Sequence, residues 1–145
     1  MEIYTIGFTQ TTAEHFFGRL SDAGIRRLLD VRLNNSSQLA GFAKAKDLPY
    51  FLGELVGASY EHEPLLAPDQ EILDAYKKHS GSWTDYEHEF MKLMARRNVA
   101  LRLDREAFGD RTALLCSEAT ADHCHRRLVC DYLSRAWGEL EIVHL

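Results

Sequence analysis

The first thirty residues contain the feature that most constrains the fold: a strand, a helix and a second strand in direct succession. Residues with high β propensity fill the stretch 2–6. Thr11 or Thr12 can cap a helix that continues to about Ala23, and the apolar run 27–31 follows as a buried strand. A strand–helix–strand unit this short is typical of two parallel strands joined by a crossover. The sequence therefore predicts a parallel sheet from its first element onwards.

The same alternation of strands and helices continues along the rest of the chain. Apolar periodicity predicts helices over 47–56, 69–78, 85–97 and 121–137, and apolar runs predict strands over 58–62, 113–116 and 141–145. The polar stretch 34–41 is predicted to be a loop, and 99–109 fits a helix, a strand or a loop. This pattern predicts an α/β fold, namely a three-layer domain with a mostly parallel sheet of about five strands and helices on both faces. The length of 145 residues favours a single domain over 1–145.

The composition narrows the classes of protein to consider. A formal net charge of -5 argues against a general duplex-binding protein, although a local basic patch at Lys44 and Lys46 is compatible with it. The sequence has an odd number of cysteines, three, and an N-terminus without the features of a secretory signal. No run reaches the ~20 apolar residues needed to cross a bilayer. We therefore expect a cytoplasmic protein that does not enter a membrane.

Reactive residue types are concentrated in the stretch 112–126, TALLCSEATADHCHR. The apolar run ends at Cys116, and the final helix is expected to start near Ala121, with Cys124 in its first turn and pointing away from the buried stripe. Ligands of open α/β sheets bind beyond the carboxyl ends of the strands. The candidate residues for chemistry are Cys116, Glu118, Cys124 and His125. The candidate ligand-binding residues, gathered at the same edge from several strand ends, are Gly7, Thr9, Asp30, Arg32, His62, Ser117 and Arg126.

These residue types indicate a site for an anion. Arg32 and Arg126 could clamp a phosphate or carboxylate, with help from the free N–H groups of the final helix. In that positive potential, one of the cysteines would have a lowered pKa and act as a nucleophile. Glu118 and His125 would handle protons. The sequence thus predicts an enzyme-like pocket for a phosphate-bearing or other anionic ligand, with a nucleotide as one candidate.

Structural roles and other functions remain open for the same residues. Cys116 also fits a small buried apolar residue, and Asp30 and Arg32 also fit an ion pair with each other. One alternative is a non-enzymatic module that binds nucleic acid or a protein through Lys44, Lys46 and the pair Arg126-Arg127. Another is a metal-dependent enzyme, for which the possible ligands are Cys116, Cys124, His125 and His62. The sequence has no CxxC pair, so no metal ligand is assigned, and it names no cofactor and no oligomeric state.

Several stretches carry a family resemblance that covers nearly the whole chain. They are YTIGFT (4–9), LLDVR (28–32), SSQLAGFAKAKDL (36–48), Tyr60-x-His62-x-Pro64, SWTDYEHEF (82–90) and LLCSEATADHCHRRL (114–128). Together they resemble the family called domain of unknown function 488, although Asn35 stands where similar sequences often carry proline. The resemblance implies an α/β domain with a shared site built on Cys116, Glu118, Cys124, His125 and Arg126, with Asp30 and Arg32 opposite. It implies no particular activity.

Overall fold

The computed structural model describes residues 1–36, 41–118 and 121–145. Within these residues, one sheet is formed by β1 (Glu2–Gly7), β2 (Arg27–Asp30), β3 (Ser59–His62), β4 (Thr112–Cys116) and β5 (Glu141–His144). The strand order is β3-β2-β4-β1-β5, and each pair of neighbouring strands is parallel. The predicted parallel sheet of five strands is confirmed.

Helices cover both faces of the sheet, as predicted. They are α1 (Ala13–Asp22), α2 (Leu48–Leu55), α3 (Gln70–Lys77), α4 (Trp83–Arg96), α5 (Val99–Arg102), α6 (Arg105–Phe108) and α7 (His125–Trp137), with short 3-10 turns at Gly41–Ala43 and Pro64–Leu66. Apolar residues of α1 and α2 pack in one hydrophobic cluster, and those of α3 to α7 pack in another. The ambiguous stretch 99–109 contains the two short helices α5 and α6.

The central strand β4 shows how the two clusters are separated. Ala113 and Leu115 belong to the cluster under α1 and α2, whereas Leu114 and Cys116 belong to the cluster under α3 to α7. Successive side chains of a strand point to opposite faces, and a strand covered on both faces buries all of them. All five residues of β4 are buried. Cys116 consequently faces the layer that contains α4 and α7.

The start of the final helix differs from the prediction. Helix α7 begins at His125, and Cys124 is its N-cap residue with an extended backbone (φ -136°, ψ 139°). Residues 121–124 belong to the connection from β4, and Cys124 is buried instead of pointing away from the core. The apolar period alone cannot locate a helix start when the cap position lacks the usual Ser, Thr, Asp or Asn.

Helix α4 also begins earlier than predicted, at Trp83 instead of Asp85, because Ser82 is its N-cap. The Ser82 hydroxyl accepts a hydrogen bond from the Asp85 N–H at 3.0 Å. Part of the predicted loop over 34–41, residues 37–40, lies outside the described residues. In the described part of the chain, no helix combines the length and the apolar character that crossing a bilayer requires.

The topology creates a crevice between the ends of β2 and β4. The chain leaves β2 towards α2 on one face of the sheet, and it leaves β4 towards α7 on the other face. Such divergence of neighbouring connections opens the space in which α/β proteins bind their ligands. The residues that follow these two strands, Arg32 and Ser117 among them, therefore border one crevice.

Candidate functional site

A cleft of about 270 Å³ lies at this carboxyl edge of the sheet. Of the predicted site residues, its lining contains Arg32, Cys116, Ser117, Glu118, Cys124 and His125. The other predicted site residues, Gly7, Thr9, Asp30, His62 and Arg126, lie outside that lining. The fold thus brings the chemical candidates together, and the remaining candidates surround them.

Cys116 and His125 form a close pair at the base of the cleft. The Cys116 Sγ lies 3.4 Å from Nδ1 of His125, and Nε2 of the same ring lies 2.6 Å from the Val31 carbonyl oxygen. A carbonyl oxygen only accepts hydrogen bonds, so Nε2 must carry a proton. In the neutral ring, Nδ1 then has a lone pair, and this lone pair is available to the Cys116 thiol.

The surroundings of Cys116 favour its thiolate. A hydrogen bond from the Cys124 thiol has the largest effect and lowers the pKa of Cys116. The backbone N–H groups of Ser117 and Glu118 and the charge of Arg126 act in the same direction, whereas burial opposes them.

The other two cysteines are held as thiols. The hydrogen bond from Cys124 to Cys116 and burial both raise the pKa of Cys124 well above its usual range. Burial raises the pKa of Cys130 to about 12. Cys116 is therefore the cysteine best prepared to act as a nucleophile.

Three predicted site residues hold the backbone that follows Cys116. The Thr9 N–H donates to the Ser117 carbonyl at 3.0 Å, and the Thr9 hydroxyl donates to the same oxygen. The Arg126 guanidinium donates through Nη1 to the Glu118 carbonyl. Gly7 allows the backbone at Glu118 to pass close to the end of β1, because a Cβ on residue 7 would lie 1.6 Å from the Glu118 carbonyl oxygen. Thr9 thus positions the Ser117 carbonyl, whereas Gly7 and Arg126 position the Glu118 carbonyl.

Asp30 and Arg32 form a buried ion pair beside the cleft. Nε and Nη2 of Arg32 donate to the two carboxylate oxygens of Asp30 at 2.9 and 2.8 Å, and Nη2 also donates to the Ala43 carbonyl. Nη1 of Arg32 is buried and has no hydrogen-bond partner among the described residues. The bidentate face of Arg32 is therefore occupied by Asp30, and both N–H groups of Nη1 are without a partner among the described residues.

Two more residues extend this network. Tyr60 donates its hydroxyl proton to Asp30 at 2.5 Å, and burial together with this hydrogen bond raises the pKa of Tyr60 to about 12. Nε2 of His62 lies 2.8 Å from the Arg32 carbonyl oxygen, which only accepts. His62 therefore fixes the backbone of the loop after β2.

The outer wall of the cleft is aromatic, which the sequence analysis did not anticipate. Trp83 stacks on Tyr86 with ring centroids 4.9 Å apart and on His123 at 5.0 Å, and Tyr76 meets Trp83 edge to face. The signal available in the sequence was the pair Trp83 and Tyr86, which are three residues apart at a helix start and therefore share one face. His123 is exposed, and its ring stacks on Trp83.

A family model described as "Domain of unknown function DUF488" matches residues 12–133. The chain belongs to this family. The matched segment includes the Asp30–Arg32 pair and the whole stretch from Cys116 to Arg126, whereas Gly7 and Thr9 precede it. No curated protein and no solved structure matches the chain. The family description states no activity, so the function must be argued from the cleft.

The DUF488 chain also contains a group of potential metal ligands in this cleft. Within the described residues, the Sγ atoms of Cys116 and Cys124 and a ring nitrogen of His125 all lie within 4.8 Å of one another. Two thiolates and one imidazole form a donor set that suits zinc. His62, the fourth ligand considered from the sequence, is not part of this group.

Proposed function

We propose that this DUF488 protein is a thiol-dependent enzyme that acts on a small substrate carrying a phosphate or another anionic group. Cys116 is the nucleophile, and His125 is its proton acceptor. The observation that carries this proposal is the 3.4 Å approach of the Cys116 Sγ to the Nδ1 lone pair of His125, at the base of a cleft.

The chemistry follows from the two atoms of this pair. The proton on the Cys116 sulfur moves to Nδ1 of His125, and the thiolate attacks an electrophilic carbon or phosphorus of the substrate. The bond to the leaving group breaks, and His125 returns the proton to that group. Water, activated by the neutral His125, then releases the bound product from sulfur. The Val31 carbonyl oxygen accepts a hydrogen bond from the Nε2 N–H of His125 throughout the reaction, and this hydrogen bond stabilises the imidazolium.

The charges around the cleft support an anionic substrate. The buried Nη1 of Arg32 has no hydrogen-bond partner in the part of the chain that the structure describes, and Lys77 stands at the rim, where its ammonium lies 3.3 Å from the Glu118 carboxylate. Lys77 and Glu118 are both about half exposed, so their pairing is weak and a bound anion can compete for Lys77. A nucleotide meets these requirements as well, because its base can pack on the aromatic wall formed by Tyr76 and Trp83.

Arg126 has an indirect role in this proposal. Its side chain is only 1% exposed and donates to the Glu118 carbonyl, so it holds the backbone at Glu118 and adds positive potential near Cys116. Glu118 remains the candidate for proton transfer at the rim of the cleft.

Alkylation by iodoacetamide, followed over a pH series by peptide mass spectrometry, tests the assignment of the nucleophile. We expect Cys116 to be labelled first, with an inflection below the ~8.5 of a free thiol. Cys124→Ala should move that inflection upwards because it removes the largest cause of the lowered pKa. Cys130→Ala is the matched control and should leave it unchanged. Equal and slow labelling of the three cysteines would contradict the proposal.

A turnover screen with phosphate esters and with carboxylate-bearing esters tests the substrate class. Cys116→Ala should abolish any activity found, and Cys130→Ala should retain it. Turnover that survives Cys116→Ala would assign the chemistry to another residue.

A second candidate is a metal-dependent enzyme, favoured by the compact group of Cys116, Cys124 and His125. Elemental analysis of protein purified without chelator decides between the two. One metal ion per chain, lost in Cys124→Ser and kept in Cys130→Ala, would favour the metal enzyme. A metal content clearly below one ion per chain would exclude the metal-dependent enzyme.

The nucleic-acid module has less support. Arg126 is buried, and Arg127 pairs with Glu87 and Asp131, so this dipeptide offers little free positive charge to a nucleic acid. Binding to DNA or RNA that weakens steeply with salt would revive this alternative.

A further inference from the structure

Cys124 is a buried thiol that lowers the pKa of Cys116 but takes part in no bond-forming or proton-transfer step of the proposed mechanism. It occupies the N-cap position of α7, where a side chain that accepts a hydrogen bond from the helix is worth about 1 kcal/mol. Within the described residues, the Cys124 side chain makes no such capping bond. Capping of α7 therefore does not explain why a cysteine occupies position 124.

The position of Cys124 relative to Cys116 suggests another role. Their sulfur atoms lie within 4.8 Å of each other, whereas a disulfide requires about 2.05 Å. Cys116 ends a central strand, but Cys124 precedes α7 and has an extended backbone. Cys124 can therefore move towards Cys116 without unwinding a turn of helix.

We propose that Cys124 is a resolving thiol, which converts Cys116 into a Cys116–Cys124 disulfide after a hydroperoxide has oxidised Cys116. This gives the cleft a second chemistry, the reduction of hydroperoxides. The inference rests on the proposed function in one respect, because both need Cys116 to be the reactive thiolate.

The reaction balances with a hydroperoxide as oxidant. The Cys116 thiolate attacks one peroxide oxygen and the O–O bond breaks, which gives a sulfenic acid on Cys116 and an alkoxide or hydroxide. That anion takes the proton that His125 received from Cys116. The Cys124 sulfur then attacks the sulfenic sulfur, its proton leaves with the hydroxyl group as water, and the S–S bond forms. A dithiol reductant restores both thiols by exchange.

The third cysteine provides a control inside the same chain. Cys130 is 1% exposed and lies within α7, and it is not part of the group formed by Cys116, Cys124 and His125. Burial raises its pKa to about 12, which keeps it protonated. The proposal therefore predicts a bridge that excludes Cys130.

The test uses the full chain, reduced, freed of metal with a chelator and desalted, and treated with a small excess of hydrogen peroxide. We expect the intact mass to fall by two hydrogen atoms and a digest to contain the peptides of Cys116 and Cys124 joined. Cys124→Ser, which should fold because serine is a good N-cap, should give several-fold more dimedone adduct at Cys116 than the wild type. Cys130→Ser should behave like the wild type.

Two results would overturn the inference. One is equal dimedone labelling of the wild type and Cys124→Ser, and the other is a bridge that involves Cys130 or joins two chains. The experiments distinguish a failure of this inference from a failure of the proposed function. If a Cys116–Cys124 bridge forms but no ester is turned over, the enzyme proposal fails alone. If Cys116 supports turnover but no bridge forms, the resolving role of Cys124 fails alone.

Discussion

Replacement of Asp30 by alanine tests whether the main role of Arg32 is structural. The Asp30 carboxylate accepts hydrogen bonds from the Arg32 N–H, Nε and Nη2 and from the Tyr60 hydroxyl. Asp30 is fully buried and Arg32 is 2% exposed, so both charges of the pair are largely desolvated. The variant would leave a buried guanidinium with no counter-charge.

The expected effect is large. Removing one member of a buried ion pair typically costs about 3–5 kcal/mol, because the other charge stays desolvated. With a urea dependence of about 2 kcal/mol per molar, the unfolding midpoint should fall by roughly 1.5–2.5 M. Glu61→Ala is the matched control, since it breaks the more exposed pair of Glu61 with Arg27. An exposed pair of this kind contributes about 0–1 kcal/mol.

Urea unfolding followed by circular dichroism measures both variants. The double variant Asp30→Ala/Arg32→Met should recover part of the loss, because it removes the isolated charge as well. A loss for Asp30→Ala no larger than that for Glu61→Ala would refute the structural role. Arg32 would then be free to serve mainly as a ligand-binding residue.

Two further predictions concern the frame around the cleft. Gly7→Ala should destabilise the protein by about 1–3 kcal/mol and slow the alkylation of Cys116, because the new Cβ would lie 1.6 Å from the Glu118 carbonyl oxygen. Gly18→Ala places its methyl group in open space on α1 and should not lower the free energy of unfolding. Equal urea midpoints for Gly7→Ala and Gly18→Ala would contradict the expected clash at residue 7. The pKa of Tyr60 is about 12 in the fold, above its ordinary value of 10, so the stabilisation that depends on its proton is complete below pH 10 and lost towards pH 12. The difference in unfolding free energy between the wild type and Tyr60→Phe should shrink over that range, and a constant difference would show that the hydroxyl proton does not matter.

The sequence predicted the elements of the fold well, because each depends on residues that are close together in the chain. The apolar run that ends at Cys116 and the helical period of α4 identified a strand and a helix from their own side chains. The parallel arrangement followed from the short strand–helix–strand unit at the N-terminus, since strands joined by a crossover helix run the same way. Helix starts were predicted less accurately than helix interiors, as the N-caps at Ser82 and Cys124 demonstrate. A start depends on one residue, whereas the interior of a helix follows a repeating pattern.

For the site, the sequence determined the edge of the sheet and the set of reactive residues, and the tertiary structure decided what each residue does. The proton on Nε2 of His125 is fixed by the carbonyl of Val31, which is 94 positions away in the chain. The sequence left Arg32 between an anion clamp and an ion pair with Asp30, and the structure shows the ion pair. Arg126 was expected to bind the anion, yet its guanidinium donates to the Glu118 carbonyl. Such partners depend on which groups are buried together. Local pattern carries no information about contacts between distant segments, so only the packed sheet could distinguish Cys116, the proposed nucleophile, from the residues that hold it in place.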